Sequence, residues 1–86
     1  MKSFTYTIKD ALGIHARPAG LLVKAASSYK DTVIKISNGQ KEADVKRIMA
    51  IMSMGVKQGT EVTITCEGGD EAAAAAAMEA FFQENL

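Results

Sequence analysis

The sequence predicts an α+β open-faced sandwich: a four-stranded antiparallel sheet with three helices on one face, in the order βαββαβα. Three observations predict it. Apolar and polar residues alternate strictly near both ends of the chain, where Phe4, Tyr6 and Ile8 interleave with Ser3, Thr5 and Thr7, and Val62, Ile64 and Cys66 with Thr63 and Thr65. A period of two marks a strand with one covered face, so the helices belong together on that side. A β-branched run ends in Asn38-Gly39, and three other segments repeat with helical spacing.

The first strand spans residues 3–8. The first helix begins near Ala16, where Pro18 fits the opening turn without forfeiting an internal hydrogen bond, and runs through Leu21, Leu22, Val23, Ala25 and Ala26 to Ser27 or Ser28. Residues 32–37 hold the β-formers Val33, Ile34 and Ile36, and Asn38-Gly39 suits a tight hairpin turn, so residues 40–44 return antiparallel. The middle helix, residues 47–54, has almost no polar face. At 100° per residue, Ile48, Met49 and Met52 fall in one sector of roughly 100°, with Ile51 and Met54 roughly opposite. A short surface helix cannot easily bury both sectors. Gly55 and Lys57-Gln58-Gly59 supply turn chemistry before the last strand. Asp70, after Gly68-Gly69 and before Glu71 and a run of alanines, caps a helix over residues 70–84, whose Ala74, Ala75, Met78, Phe81 and Phe82 form one apolar stripe.

Composition narrows the function. The 86 residues suffice for one domain, residues 1–86, and 48% apolar with 23% charged residues is the balance of a folded chain. Cys66 is the one cysteine, so no internal disulfide forms and the reducing cytoplasm is the expected address. The start of the chain has no signal-peptide core, and the apolar run at residues 72–78 is far short of the roughly 20 residues a membrane span needs. Ten basic residues balance ten acidic ones, which argues against nucleic acid as a partner. So short a chain also has little room for a deep pocket, and its chemistry belongs at the surface.

His15 is the one histidine, and Gly13-Ile14-His15-Ala16-Arg17-Pro18-Ala19 places it where strand gives way to helix. An isolated histidine there is more often a cap or a surface residue than a reactive group. Its neighbours point the other way. The opening amides at Ala16 and Arg17 and the positive end of the helix dipole form an anion site, and the Arg17 guanidinium adds donors shaped for phosphate oxygens. Histidine can act as a nucleophile, and as a residue type it is largely neutral at cytoplasmic pH. With no second histidine a metal site is not expected, a serine or cysteine nucleophile lacks an orienting partner, and the common glycine-rich nucleotide loops are absent, so no cofactor is expected.

Together with Lys46-Arg47-Ile48-Met49-Ala50-Ile51-Met52-Ser53-Met54-Gly55-Val56 and Gly59-Thr60, the histidine segment resembles the HPr family, the histidine phosphocarriers of the bacterial phosphoenolpyruvate:sugar phosphotransferase system. The resemblance spans essentially the whole chain. It implies that the protein is a carrier rather than an enzyme, phosphorylated by Enzyme I at His15, on Nδ1, and passing the group to a histidine of an EIIA protein or domain. Arg17 corresponds to the family arginine beside the phosphoryl group, and the amides of Ala16 and Arg17 to its oxyanion contacts. The odd middle helix is explained as well: in the family one side of it docks both partners, which maps onto Ile48, Met49 and Met52 with Gly20, Arg47 and Gly55 near them. The protein is then expected to act as a monomer. One departure stands out, because many relatives have a serine before the Ile-Met pair, a regulatory kinase target in some, where this chain has Arg47. Regulation through a serine at that position is therefore not expected. Two other readings compete with sugar uptake: a regulatory paralogue serving a nitrogen-related or dihydroxyacetone-kinase phosphorelay, and an interaction module that never carries phosphate. Retention of His15 with Arg17 argues against the second.

Overall fold

A computed structural model describes all residues 1–86. The elements are β1 (Lys2–Thr7), α1 (Ala16–Ser27), β2 (Val33–Ser37), β3 (Glu42–Asp44), α2 (Ile48–Ser53), β4 (Glu61–Glu67) and α3 (Glu71–Asn85), which is the expected βαββαβα order. The four strands form one sheet ordered β1-β4-β2-β3, antiparallel throughout. The strand alternation dictates which face is covered. Ile64 of β4 stands between Phe4 of β1 and Ile36 of β2, while Thr63 and Thr65 of the same strand pair with polar Thr5 and Lys35. Ile34, Ile36, Val62, Ile64 and Cys66 are fully buried under the helices, and the other face stays open.

Each helix contributes the stripe its spacing allows. Pro18, Ala19, Leu22 and Ala26 are the buried face of α1, which leaves Leu21 turned outward. In α3 the buried line is Ala74, Met78 and Phe82, four residues apart, with Ala75 and Phe81 half-buried beside it. Phe82 meets the edges of Phe4, Tyr6 and Phe81 at centroid separations of 6.1, 5.7 and 6.2 Å, so the alanines admit close approach and one aromatic ring fills the middle. Asp70 caps α3 by accepting from the Ala73 N–H at 3.2 Å. Burial, reinforced by the nearby Glu71 carboxylate, pushes the Cys66 thiol up from its ordinary value.

Several boundaries differ from the sequence reading. The Asn38-Gly39 pair does not form the two central residues of a tight turn: Gly39 alone has positive φ, at 92°. Asn38 instead occupies the preceding corner, donating its N–H to the Lys41 carbonyl at 3.1 Å and accepting from the Gln40 and Lys41 amides through Oδ1 at 3.0 and 2.8 Å. The side chain replaces a backbone acceptor, and the return strand shrinks to Glu42–Asp44. Thr32 lies before β2 as a buried residue. Arg47 and Met54 flank α2 as its N-cap and C-cap, so the helix itself is only six residues long.

Lys46 has a structural role that its place in the sequence does not announce. Its ammonium reaches back to the segment following α1 and donates to the carbonyls of Tyr29 at 2.7 Å and Thr32 at 2.8 Å. A cation thus satisfies carbonyls beyond the helix C-terminus and ties the approach to α2 onto the first half of the chain. Replacing Lys46 with Ala should cost about 1.5–3 kcal/mol, the range for hydrogen bonds to a charged group, read as a lowered urea midpoint with unchanged m-value.

Candidate functional site

The segment between β1 and α1 is held from both sides by backbone hydrogen bonds. Ile8 donates to the Thr60 carbonyl at 3.0 Å and accepts from the Gly59 N–H at 2.8 Å, and Ile14 donates to the Val56 carbonyl at 3.2 Å. Lys9 and Asp10 both donate to a Leu86 main-chain oxygen, at 2.6 and 2.9 Å. Gly13 makes the close passage possible. Its φ is +67°, and a Cβ there would collide with the Val56 carbonyl oxygen and lie 2.7 Å from Lys57 Cα.

This path delivers His15 as the N-cap of α1, with extended backbone at φ −97° and ψ −175°. The side chain makes no capping hydrogen bond, which removes the bland reading of a capping histidine. Its carbonyl accepts the Ala19 N–H at 3.0 Å, whereas the N–H groups of Ala16 and Arg17 have no acceptor within the protein and Pro18 has no N–H to offer. Arg17 is exposed and makes no salt bridge. His15 therefore stands beside two free amides, the positive end of a helix dipole and an uncommitted guanidinium, an arrangement suited to a doubly charged oxyanion such as a phosphoryl group.

His15 and Arg17 line an open depression of about 270 Å³ with Asp10, Pro18, Leu21 and Asn85. The site is shallow and superficial, as the chain length predicted. Asp10, Leu21 and Asn85 had not been singled out in the sequence. Asp10 Oδ2 lies 3.9 Å from His15 Nε2, and Asn85 arrives from the far end of the chain with its amide donating to the Phe81 carbonyl at 3.1 Å. Leu21 alone carried a readable signal, since Leu21 and Leu22 cannot both face the core of one helix.

The two sectors of α2 separate as their angles require. Ile51 and Met54 are buried, whereas Ile48, Met49 and Met52 expose 36%, 75% and 40% of their surface. Gly20 joins this patch to α1, because a Cβ at that position would sit 3.8 Å from Ile48 Cδ1. Gly55, at φ +67°, and Arg47 are exposed at its borders, and Leu21 extends it toward the histidine. All six residues assigned to docking thus fall around α2 and the α1 turn it touches. The N-cap Arg47 offers α2 no side-chain hydrogen bond.

An open-faced sandwich that raises its one histidine at a helix start, next to an apolar patch, has the design of a small phosphoryl carrier. Comparison with known proteins agrees. The family of the PTS HPr component phosphorylation site matches residues 2–84. The phosphocarrier protein HPr of Mycoplasma genitalium is 39% identical over 85 residues, covering 99% of this chain and 97% of that protein. Among solved structures, the histidine-containing phosphocarrier protein of a Mycoplasma superposes with a TM-score of 0.92 at 37% identity, covering 96% of this chain and 93% of that one. An HPr structure from Thermoanaerobacter tengcongensis gives 0.86 at 42% identity with 100% of both chains covered. The chain belongs to the HPr family of phosphocarriers of the phosphotransferase system; it is a carrier and not a catalytic enzyme.

Two predictions follow from this geometry. Gly13→Ala should lose about 2–4 kcal/mol, from positive φ on a Cβ-bearing residue together with the collision at Val56, and the amide shifts of residues 14–17 should move in the folded fraction. In α2, Ile51→Ala should cost about 2–5 kcal/mol, whereas Met49→Asp should leave the denaturation midpoint nearly unchanged. Parallel urea titrations check the division; the reverse ranking would contradict the assigned faces.

Proposed function

We propose that this protein accepts a phosphoryl group on His15 from phosphorylated Enzyme I, drawn ultimately from phosphoenolpyruvate, and passes it to a histidine of an EIIA protein or domain in sugar uptake. The observation that carries the reading is the free state of the histidine site: an imidazole without a hydrogen bond, beside the unpaired amides of Ala16 and Arg17 and the unpaired Arg17 guanidinium. In the transfer, the N–P bond of the donor phosphohistidine breaks as a His15 N–P bond forms, and the second transfer reverses the roles. Both bonds are phosphoramidates, so the exchange is nearly balanced in energy, and the protein's task is to position the group and meet its charge. The amides and Arg17 bind the nonreacting oxygens.

A carrier must release each partner before meeting the next, and the small apolar patch of Ile48, Met49 and Met52, bordered by Gly20, Arg47 and Gly55, suits brief docking on surfaces of different shape. No helix is long and apolar enough to cross a membrane. The proposal places the whole chain, as one unit of 1–86 and a monomer, in the cytoplasm, where phosphoenolpyruvate is available. Arg47 has no hydroxyl, so control through a phosphoserine at that position is not part of the proposal.

Incubation with Enzyme I and phosphoenolpyruvate, followed by intact mass at alkaline pH, tests the site. Wild type should gain one acid-labile phosphate, and His15→Ala should gain none while keeping its fold. Arg17→Ala should fold normally but transfer at least about tenfold more slowly, the loss of roughly 1.4 kcal/mol of charge stabilisation. Continued Enzyme I-dependent labelling of His15→Ala would refute the proposal.

A further inference from the structure

Asp10 is fixed with unusual completeness for a loop residue. Its N–H donates to a Leu86 main-chain oxygen at 2.9 Å, its carbonyl accepts the Gly13 N–H at 2.9 Å, and its Oδ1 accepts the Leu12 N–H at 2.8 Å. One carboxylate oxygen is thereby committed to the loop. The other, Oδ2, is left 3.9 Å from His15 Nε2, with the two side chains about one-third exposed, at 36% for His15 and 30% for Asp10. That separation is an ion-pair distance and longer than a direct hydrogen bond. The remaining charged or polar groups at the depression are Arg17 on α1 and Asn85 on α3, and the Asn85 amide is engaged with the Phe81 carbonyl. The Lys9 ammonium lies over the Tyr6 ring at 6.0 Å. Asp10 is thus the one carboxylate side chain facing the imidazole across the depression.

We infer that Asp10 is a positioning residue for phosphoryl transfer: it holds the ring proton on Nε2, so that Nδ1 presents its lone pair to the incoming group. A neutral imidazole carries its proton on one nitrogen only, and a carboxylate beside Nε2 favours the form protonated there. A proton held on Nε2 leaves Nδ1 free to attack, the nitrogen that the resemblance to the HPr family implies. When the Nδ1–P bond forms and the donor's N–P bond breaks, the proton stays on Nε2 and the ring becomes a cation. Asp10 then faces a positive charge that was absent before the transfer. It stabilises the state reached in transfer more than the resting state, which is the requirement for raising a rate. Charge on the ring also makes it a better leaving group in the second transfer, and that step returns both ring and carboxylate to their starting forms.

The inference rests on the phosphocarrier reading, and two measurements separate the fates of the two. Asp10→Asn is the informative variant, because it keeps an oxygen for the Leu12 N–H and removes only the charge. Long-range ¹H–¹⁵N spectra of the unphosphorylated protein, at a pH where the ring is neutral, report which nitrogen carries the proton without any transfer taking place. The ratio of the Nε2–H to the Nδ1–H form should fall about threefold in Asp10→Asn, the scale of a partly exposed ion pair. With Enzyme I and phosphoenolpyruvate, kcat for phosphorylation of this protein should fall by about the same factor, with the KM of Enzyme I for it unchanged, since Asp10 is not among the residues assigned to docking. Asp10→Ser, which also retains an acceptor for Leu12, should reproduce both effects. Unchanged nitrogen shifts and unchanged kcat in a variant whose parent is labelled at His15 would overturn the role of Asp10 and leave the carrier reading standing. An unlabelled wild type would overturn the carrier reading, and the nitrogen shifts would still decide whether Asp10 sets the proton.

Discussion

The arrangement of the histidine site depends on the backbone seam along residues 8–14. Five backbone hydrogen bonds join Ile8, Lys9, Asp10 and Ile14 to Val56, Gly59, Thr60 and Leu86, with the Gln58 side chain adding a contact to the Lys9 carbonyl at 3.1 Å. Without this seam the loop would be a mobile connection and His15 would sample many positions. With it, the loop becomes an extension of the sheet edge and the first turn of α1 starts from a fixed point. Gly13 is where the constraint is tightest, because two backbone segments pass closer there than any side chain permits. The seam converts the stability of the core into the placement of one imidazole, and binding sites held by rigid supports lose less entropy when the ligand arrives.

The same economy governs α2. A six-residue helix makes too few internal hydrogen bonds to persist alone, so its stability comes from Ile51 and Met54 packed below and from the Lys46 anchor at its approach. Those inward contacts leave the outward side chains free of structural duty. Ile48, Met49 and Met52 then remain at the surface as a small apolar patch. Exposing three such side chains in one sector is unfavourable for a monomer with no partner, and the docking role proposed for them would account for the exposure.

Much of this was legible in the sequence, because periodicity and local chemistry write themselves into neighbouring residues. Strand alternation identifies the covered face, the angular split of α2 separates its exposed from its buried side chains, and His15 and Arg17 mark the candidate site through adjacency alone. What escaped detection was made by chain return. Asn85 reaches the depression because α3 crosses the sheet, and Lys46 reaches Tyr29 and Thr32 across a gap that no repeat spans. Asp10 is only five positions from His15, yet loops lack a period from which direction can be read, and its aim is set by the bonds to Leu12, Gly13 and Leu86. The hairpin differed for a related reason: an Asn-Gly pair can supply two positive φ values or one side-chain acceptor with one glycine, and the length of the returning strand decides between them.

Arg47 draws these themes together at one position. At the N-cap of α2 its side chain accepts no hydrogen bond, so the opening amides of the helix lack the partner that a serine would provide, a difference of about 1 kcal/mol. A cation near a helix N-terminus is also on the wrong side of the dipole, by about 0.3–1 kcal/mol at an exposed site. Both effects disfavour arginine on grounds of folding, so its presence is not explained by stability. Its charge stands instead at the border of the exposed patch, near the positive end of α2, where the two fields add outward into solvent. A partner surface with acidic groups gains in encounter rate from such a field, and the gain fades as salt screens it. Arg47 thus forgoes an N-cap hydrogen bond to α2 and sets a positive charge beside the exposed side chains of that helix.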